Sequence, residues 1–465
     1  MTEEKQAQSF ITESKSFGQK QNNRSFKLLR KLKDKGQERH PLKKTNTQTS
    51  PLDFLPQKLQ ETIGSKDEGA PHNHYFSQLN QQLKSFGPGH PKLVIDLDRV
   101  DQNLQTAKKY FNPRKRPRIV VKSLPSPKLV AYMMKGLDTN RLMVFHLPFL
   151  LQVVDTFPDS DVLLGKPLPL QAVERFYDLQ VEAAPFNPQQ QLQWLVDTKD
   201  RLIQYLELAK RRRLNLKINF EIDVGLHRGG FDSPEALAEA LEILEQNPEH
   251  LTLGGLMGYD PHVAKAPSPL SSIEKAFTQA TKRYRLFIQV IETQYPSLYA
   301  ETLTFNGAGS PTYQLYENEQ LLNDLSLGSS LVKPTDFDIG TIKAHVDAVF
   351  IATPVLKKLS GVKIPYLEWA NETLQKINPN LRESFFIYGG YWMAKPVSPA
   401  GLRKNSLFGN SSNQEIMNGS ERTQLNVDDY VFLRPTQSEA VLLQFGDLLI
   451  YKNGKIEDQW PVFKQ

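Results

Sequence analysis

Four stretches of the chain set chemistry-bearing side chains directly behind apolar runs. Lys122 follows three β-branched residues in "RIVVK"; Glu221, Asp223, His227 and Arg228 share "EIDVGLHRGG"; Tyr259 and Asp260 end "GLMGYD". The fourth stretch, "FNGAGSPTY", carries Asn306, Gly307, Gly309, Ser310 and Thr312. A lysine is rarely buried unless it is paired or employed. A glycine-rich strand end offers backbone N–H groups to a phosphate, and its hydroxyls add donors. An amine, a guanidinium and a phosphate cradle together suit pyridoxal phosphate, whose aldehyde takes a lysine amine and whose phosphate needs an anchor.

These stretches need a scaffold that brings strand ends to one place. Short apolar runs alternate with helical segments: "RIVVK", "RLMVFH", "DVLLGK", "LQWLVDT", "KINFEID", "LGGLMGYD", "TLTFNGAG" and "LSLGSSLV". Continuous apolar strands separated by helices are what a parallel sheet covered by helices requires. In "SPKLVAYMMKG", Ser126 can cap and Pro127 fits the first helical turn. Eight such units predict an α/β fold with a (β/α)8 TIM barrel over 86–340, whose functional residues lie at the C-terminal ends of the strands. Lys122 would then be the last residue of the first strand. Beyond it the texture changes to short alternating runs with turn signals such as "KNGK", which predicts a mostly-β domain over 341–465. The strand at 93–97 can join either unit.

Residues 1–85 read as a polar, basic, largely disordered or extended segment. The first 50 residues hold 12 Lys and Arg against 5 Asp and Glu, a net of +7, so the rest of the chain carries −1 of the formal +6. The basic tail is the one feature that suggests nucleic acid or an anionic surface, and no nucleic-acid fold signature accompanies it. With no cysteine in 465 residues, disulfides, thiolate metal sites and a cysteine nucleophile are excluded. No apolar h-region and no spanning run of apolar residues occurs, so a cytoplasmic protein without membrane attachment is expected.

The order of these motifs resembles the fold-type III pyridoxal-phosphate enzymes, in particular the D-threonine aldolase and D-serine dehydratase group, with a barrel of alanine racemase type. The resemblance runs from Leu93 to Phe463. "VIDLDRVDQNL" resembles the family's opening strand and helix, and Lys122 stands where the family has its Schiff-base lysine. "FEIDVGLHRGGF" implies that Arg228 contacts the cofactor's phenolic oxygen, and "GLMGYD" that Tyr259 lies beside the ring. "NGAGSPTY" resembles the phosphate segment and "LSLGSSLV" the segment that closes the barrel. The resemblance also implies a homodimer whose C-terminal domains complete each other's sites.

Two departures bear on the reaction. Val120, Leu124 and Pro125 replace polar neighbours that the aldolase group has around its lysine, and "VVKS" is closer to the racemases. The pair that binds a divalent metal in the aldolase and dehydratase group corresponds here to Gln437 and Glu439, and glutamine is a poor ligand. Tyr388 and Tyr391 in "IYGGYWMAK" could supply a phenol or simply pack the second domain, and His227 reads as a satisfied rim histidine rather than a catalytic base. The expected activity is a D-threonine aldolase-like lyase acting on β-hydroxy-D-amino acids. An amino-acid racemase is the alternative, with Lys122 and a tyrosine on opposite faces, and a non-catalytic cofactor-binding protein is the third.

Overall fold

In the computed structural model the described residues are 65–180, 185–361 and 375–464, apart from Ser268, Leu270, Ser406, Leu407 and Ala440. All of them belong to one compact unit, Ile63–Gln465.

Eight parallel strands close into a barrel: β2 (Arg116–Val120), β3 (Arg141–Val144), β4 (Asp161–Leu164), β5 (Leu192–Val196), β6 (Leu216–Glu221), β7 (Leu251–Gly258), β8 (Thr304–Gly307) and β9 (Asp324–Leu327). They coincide with the eight apolar runs of the sequence, and β9 closes on β2 with Ile119 opposite Leu327. The helices between them have readable starts. Ser126 accepts a hydrogen bond from the Leu129 amide, Pro127 occupies the first turn, and Leu129, Val130, Met133 and Leu137 are buried. Each such side chain, fully buried, contributes about 1.5–3 kcal/mol of hydrophobic stabilisation.

The lower interior of the barrel is polar. Arg118, with no exposed surface, donates from Nε and Nη2 to the two oxygens of Asp324 at 2.8 and 2.9 Å, and from Nη2 to Asp161 at 3.0 Å. Its Nη1 donates to the carbonyls of Leu142 and Asp161 at 3.0 and 2.9 Å. Arg141 adds a second cation 2.7 Å from Asp324. Buried charges require this completeness, because an unpaired one costs several kcal/mol.

The second layer is a nine-stranded sheet in the path β13–β14–β11–β10–β1–β16–β17. Its members are β1 (Lys92–Asp96), β10 (Val349–Ser360), β11 (Glu383–Tyr388), β12 (Ala394–Ser398), β13 (Arg403–Lys404), β14 (Gln414–Gly419), β15 (Tyr430–Pro435), β16 (Leu448–Lys452) and β17 (Lys455–Trp460). β15 bridges β10 and β12. The strand with two possible homes, β1, pairs antiparallel with β10 and parallel with β16.

The boundary of the polar leader differs from the expectation for 1–85. Residues 1–64 lie outside the described residues, but His74–Phe86 is a helix capped by Asn73 that buries Phe76, Leu79 and Leu83. These pack with Val94, Phe350, Phe432, Leu449 and Tyr451 on one face of the sheet. A helix with so few apolar residues reads as solvated until the face it covers is known. No described helix is long and apolar enough to cross a membrane.

Candidate active site

A cavity of about 320 Å³ opens at the C-terminal end of the barrel. Lys122, Arg228, Tyr259, Asn306, Gly309 and Ser310 all line it, as do Gln437 and Glu439 from the end of β15. The backbone carries each of them there for a local reason.

β2 ends at Val120, and Val121–Ser123 form one turn of 3₁₀ helix, so Lys122 lies in that turn rather than at the last strand position. The turn keeps Val121 and Ser123 buried and lifts the amine to the mouth. There the Nζ atom is 3.3 Å from Glu439 Oε1 and 4.2 Å from the centre of the Phe145 ring. Ser123 Oγ is 3.4 Å from the same Glu439 oxygen.

The segment after β6 folds back on itself. Phe231 N–H donates to the Glu221 carbonyl and Asp223 N–H to the Phe231 carbonyl. Asp223 accepts from the amides of Gly225 and His227 at 2.9 and 3.0 Å and lies 2.6 Å from His227 Nδ1. His227 is therefore a loop-holding residue, while Arg228 projects over the mouth with its guanidinium carbon 5.2 Å from the Tyr259 ring centre. Among the described residues no ion pair ties Arg228 to Glu221 or Asp223. Burial, reinforced by Asp197 and opposed by Arg228, pushes the Glu221 carboxyl up to about 7. Burial likewise pushes the Tyr259 phenol up to about 12, against the pull of Arg228, so it is neutral at physiological pH.

The glycine-rich strand ends are narrow because side chains fill the space beside them. A Cβ on Gly309 would stand 2.7 Å from Tyr259 Cε2, and one on Gly328 would stand 2.9 Å from the Cβ atoms of both Val120 and Ser123. Ser310 Oγ accepts from the amides of Gly328 and Ser330, each at 3.0 Å, which ties the end of β8 to the end of β9. Ser329 Oγ lies 3.1 Å from Ser123 Oγ and 2.7 Å from Ser438 Oγ.

Several expectations change. Thr312 is not in the cavity: its hydroxyl donates to Asp260 at 2.6 Å, as does Tyr316 at 2.7 Å. Gly307 is packed against Leu322 instead of lining the cavity. Asn306 reaches the wall, but its amide nitrogen is committed to Asp324 and Ser326. Tyr388, the last residue of β11, and Tyr391 beyond it are 41% and 67% exposed and line no part of the cavity. For Gln437 and Glu439, no group of three or more His, Cys, Asp or Glu side chains among the described residues is placed to hold a metal ion. Gln437 donates toward Asp336 at 3.4 Å and Glu439 faces Lys122. The residues missed are Phe145, Ser123, Ser326 and Ser329. Phe145, Ser123 and Ser329 sit just beyond strand ends, the signal that would have found them, and Ser326 lies within β9.

This donor set fits pyridoxal phosphate. It supplies a primary amine at the mouth, an arginine over an aromatic ring, and two close strand ends with serines where a Cβ has no room.

Residues 95–335 match the family described as alanine racemase, N-terminal domain. No curated protein matches the chain. Among solved structures, D-threonine aldolase from Filomicrobium marinum has 17% sequence identity and a TM-score of 0.63, covering 81% of this chain and 97% of its own. D-threo-3-hydroxyaspartate dehydratase from a Delftia species matches at 14% and 0.60, covering 81% and 97%. Alanine racemase from Bacillus anthracis with bound L-Ala-P matches at 14% and 0.60, covering 80% and 97%. At these identities the likeness is one of fold. The family match spans the barrel that carries Lys122, Arg228, Tyr259 and Ser310, and the chain belongs to the alanine racemase N-terminal domain family, with the fold of the fold-type III pyridoxal-phosphate enzymes.

Proposed function

We propose that this protein is a pyridoxal-phosphate-dependent lyase that cleaves β-hydroxy-D-amino acids in the manner of a D-threonine aldolase, as a homodimer. The observation that carries the reading is the carboxylate of Glu439 facing both the Lys122 amine and the Ser123 hydroxyl.

The bound cofactor supplies an electron sink that lets a bond at the substrate's Cα break. Lys122 would be its covalent anchor, Arg228 and Tyr259 would flank its ring, and Ser310 with the Gly328–Ser329 strand end would hold its phosphate. When not holding the cofactor, the Lys122 amine would be free to carry a proton beside Glu439. Glu439 Oε1 accepts the proton of the substrate's β-hydroxyl, the Cα–Cβ bond breaks and an aldehyde leaves. Glu439 would pass that proton to Lys122 Nζ, 3.3 Å away, which would deliver it to Cα, giving glycine. Proton transfer by a positioned side chain of this kind contributes about 10²–10⁴-fold.

The racemase is the second reading, supported by an apolar approach to Lys122 through Val120 and Val121. It needs an acid opposite Lys122, and within one chain neither Tyr388 nor Tyr391 reaches the cavity. A second copy would have to provide it.

The test is reconstitution with pyridoxal phosphate. A yellow protein that releases acetaldehyde from D-threonine, with a visible band lost in Lys122→Ala, is expected. Exchange of the alanine α-proton without aldehyde release would favour the racemase. A colourless protein that takes up no cofactor overturns both.

A further inference from the structure

The cavity at the barrel mouth does not end at its own wall. A second hollow of about 500 Å³ shares Pro261 and Lys265 with it, and a third of about 370 Å³ shares His262, Ala276 and Gln279 with the second. The two outer hollows are bounded by the segment that follows β7 and by the helix Ile273–Gln294. Their charge is one-sided. Among the described residues no carboxylate lines either of them, whereas Glu439 and Asp336 line the first cavity. Asp223, in the loop beside the third hollow, is taken up by the amides of Gly225 and His227 and by the His227 ring.

Lys265 is the cation at the divide. It ends the 3₁₀ turn Val263–Lys265, which the buried Val263 anchors. Of the cations that line the first cavity, Lys122 faces Glu439 and Arg228 covers the Tyr259 ring. The Lys265 amine has no partner among the described residues. His262 adds a neutral edge to the second hollow: burial holds its imidazole below the ordinary 6.5 against the pull of Asp223. Its buried Nδ1 also lacks a hydrogen-bond partner among the described residues. Leu226, Pro261 and Ala276 supply apolar wall between these groups.

We propose that the hollow beside Lys265 is a side-chain subsite, and that the preferred substrate is a β-hydroxy-D-amino acid whose side chain runs several atoms past Cβ and ends in a carboxylate bound by Lys265. This rests on the lyase reading above and names the substrate class for it. The first cavity has to hold the cofactor and the reacting carbons, so a long side chain must leave it. An anionic end is repelled on the side of Glu439 and Asp336 and attracted toward Lys265. The apolar wall receives the methylene groups in between. A lysine is a point charge on a flexible stem, suited to a monoanion at the end of such a chain. D-Threonine, whose side chain stops one carbon past Cβ, is turned over without that contact.

The experiment runs the full chain loaded with pyridoxal phosphate in the direction of synthesis. The Cα of glycine gives up a proton and bonds to the aldehyde carbon, whose oxygen takes up a proton. Succinic semialdehyde and butanal share one carbon chain length and differ in the terminal carboxylate. The kcat/KM should favour succinic semialdehyde by about fivefold or more, and the preference should shrink as salt is raised. Lys265 is exposed, so its replacement leaves the core intact. Lys265→Gln should remove the preference, Lys265→Arg should keep it, and Lys265→Glu should turn it toward butanal. Equal values for the two aldehydes in the wild type, or a preference that survives in Lys265→Gln, overturns the proposal and leaves the lyase reading standing. Addition to neither aldehyde overturns the lyase reading and the subsite with it.

Discussion

Glu439 Oε1 stands 3.3 Å from Lys122 Nζ, joining the turn after the first barrel strand to the segment that follows β15 of the second domain. Both side chains remain more than a third exposed, so the pair is open to a ligand rather than sealed as a structural bridge. Surface pairs of this kind add little to stability. Glu439→Gln should therefore melt close to wild type and keep the cofactor's visible band, while aldehyde release from D-threonine falls by about 10²–10⁴-fold. Spectra and steady-state rates of the one variant check both halves. Loss of the band together with activity would assign Glu439 to cofactor binding instead.

Gly309 has no room for a methyl group because the Tyr259 ring stands where it would go. Tyr259 is itself half-buried, and its ring lies beneath Arg228. Gly309→Ala should displace that ring and weaken cofactor retention at least tenfold, a loss of about 1.4 kcal/mol. Equilibrium dialysis of the variant reads this directly, and unaltered affinity would mean that the ring does not contact the cofactor.

Arg118 is the hub of the lower barrel, with five donated hydrogen bonds to Asp324, Asp161 and the Leu142 carbonyl. Arg118→Leu removes the chief counter-charge of a buried carboxylate and should destabilise the fold by about 3–5 kcal/mol. Asp324→Asn in the same background should recover part of that loss, since it removes the stranded charge. Denaturant titrations of the single and double variants provide the comparison, and strict additivity would refute the coupling.

Asp260 is buried with two hydroxyl donors and no cation. Burial pushes its carboxyl from the ordinary 3.8 up to about 6, although Thr312 and Tyr316 pull the other way. The native state thus holds this proton more tightly than the unfolded chain does. Its contribution to stability is greatest below pH 3.8 and is lost as pH rises through about 6. In Asp260→Asn the unfolding midpoint should depend less on pH across that window. Urea melts at a series of pH values test the sign, and an unchanged slope would place the titration elsewhere.

The barrel was legible in the sequence because a buried parallel strand announces itself locally. Eight apolar runs became eight strands, and the chemistry-bearing residues sat where those runs ended. Lys122, Arg228, Tyr259 and Ser310 meet in one cavity for that reason: the closure of a barrel brings every strand end to one mouth.

What only tertiary structure decided are relationships between distant segments. His74–Phe86 reads as polar because its three buried apolar side chains need the sheet that covers them. Thr312 looks like a phosphate donor until the loop turns it onto Asp260, and Tyr388 and Tyr391 line no part of the cavity of their own chain. The facing of Glu439 and Lys122, and the place of Lys265 between two hollows, depend on how domains dock and loops pack. Local pattern fixes which face of an element is buried. Which partner it meets there is settled by packing across the whole chain.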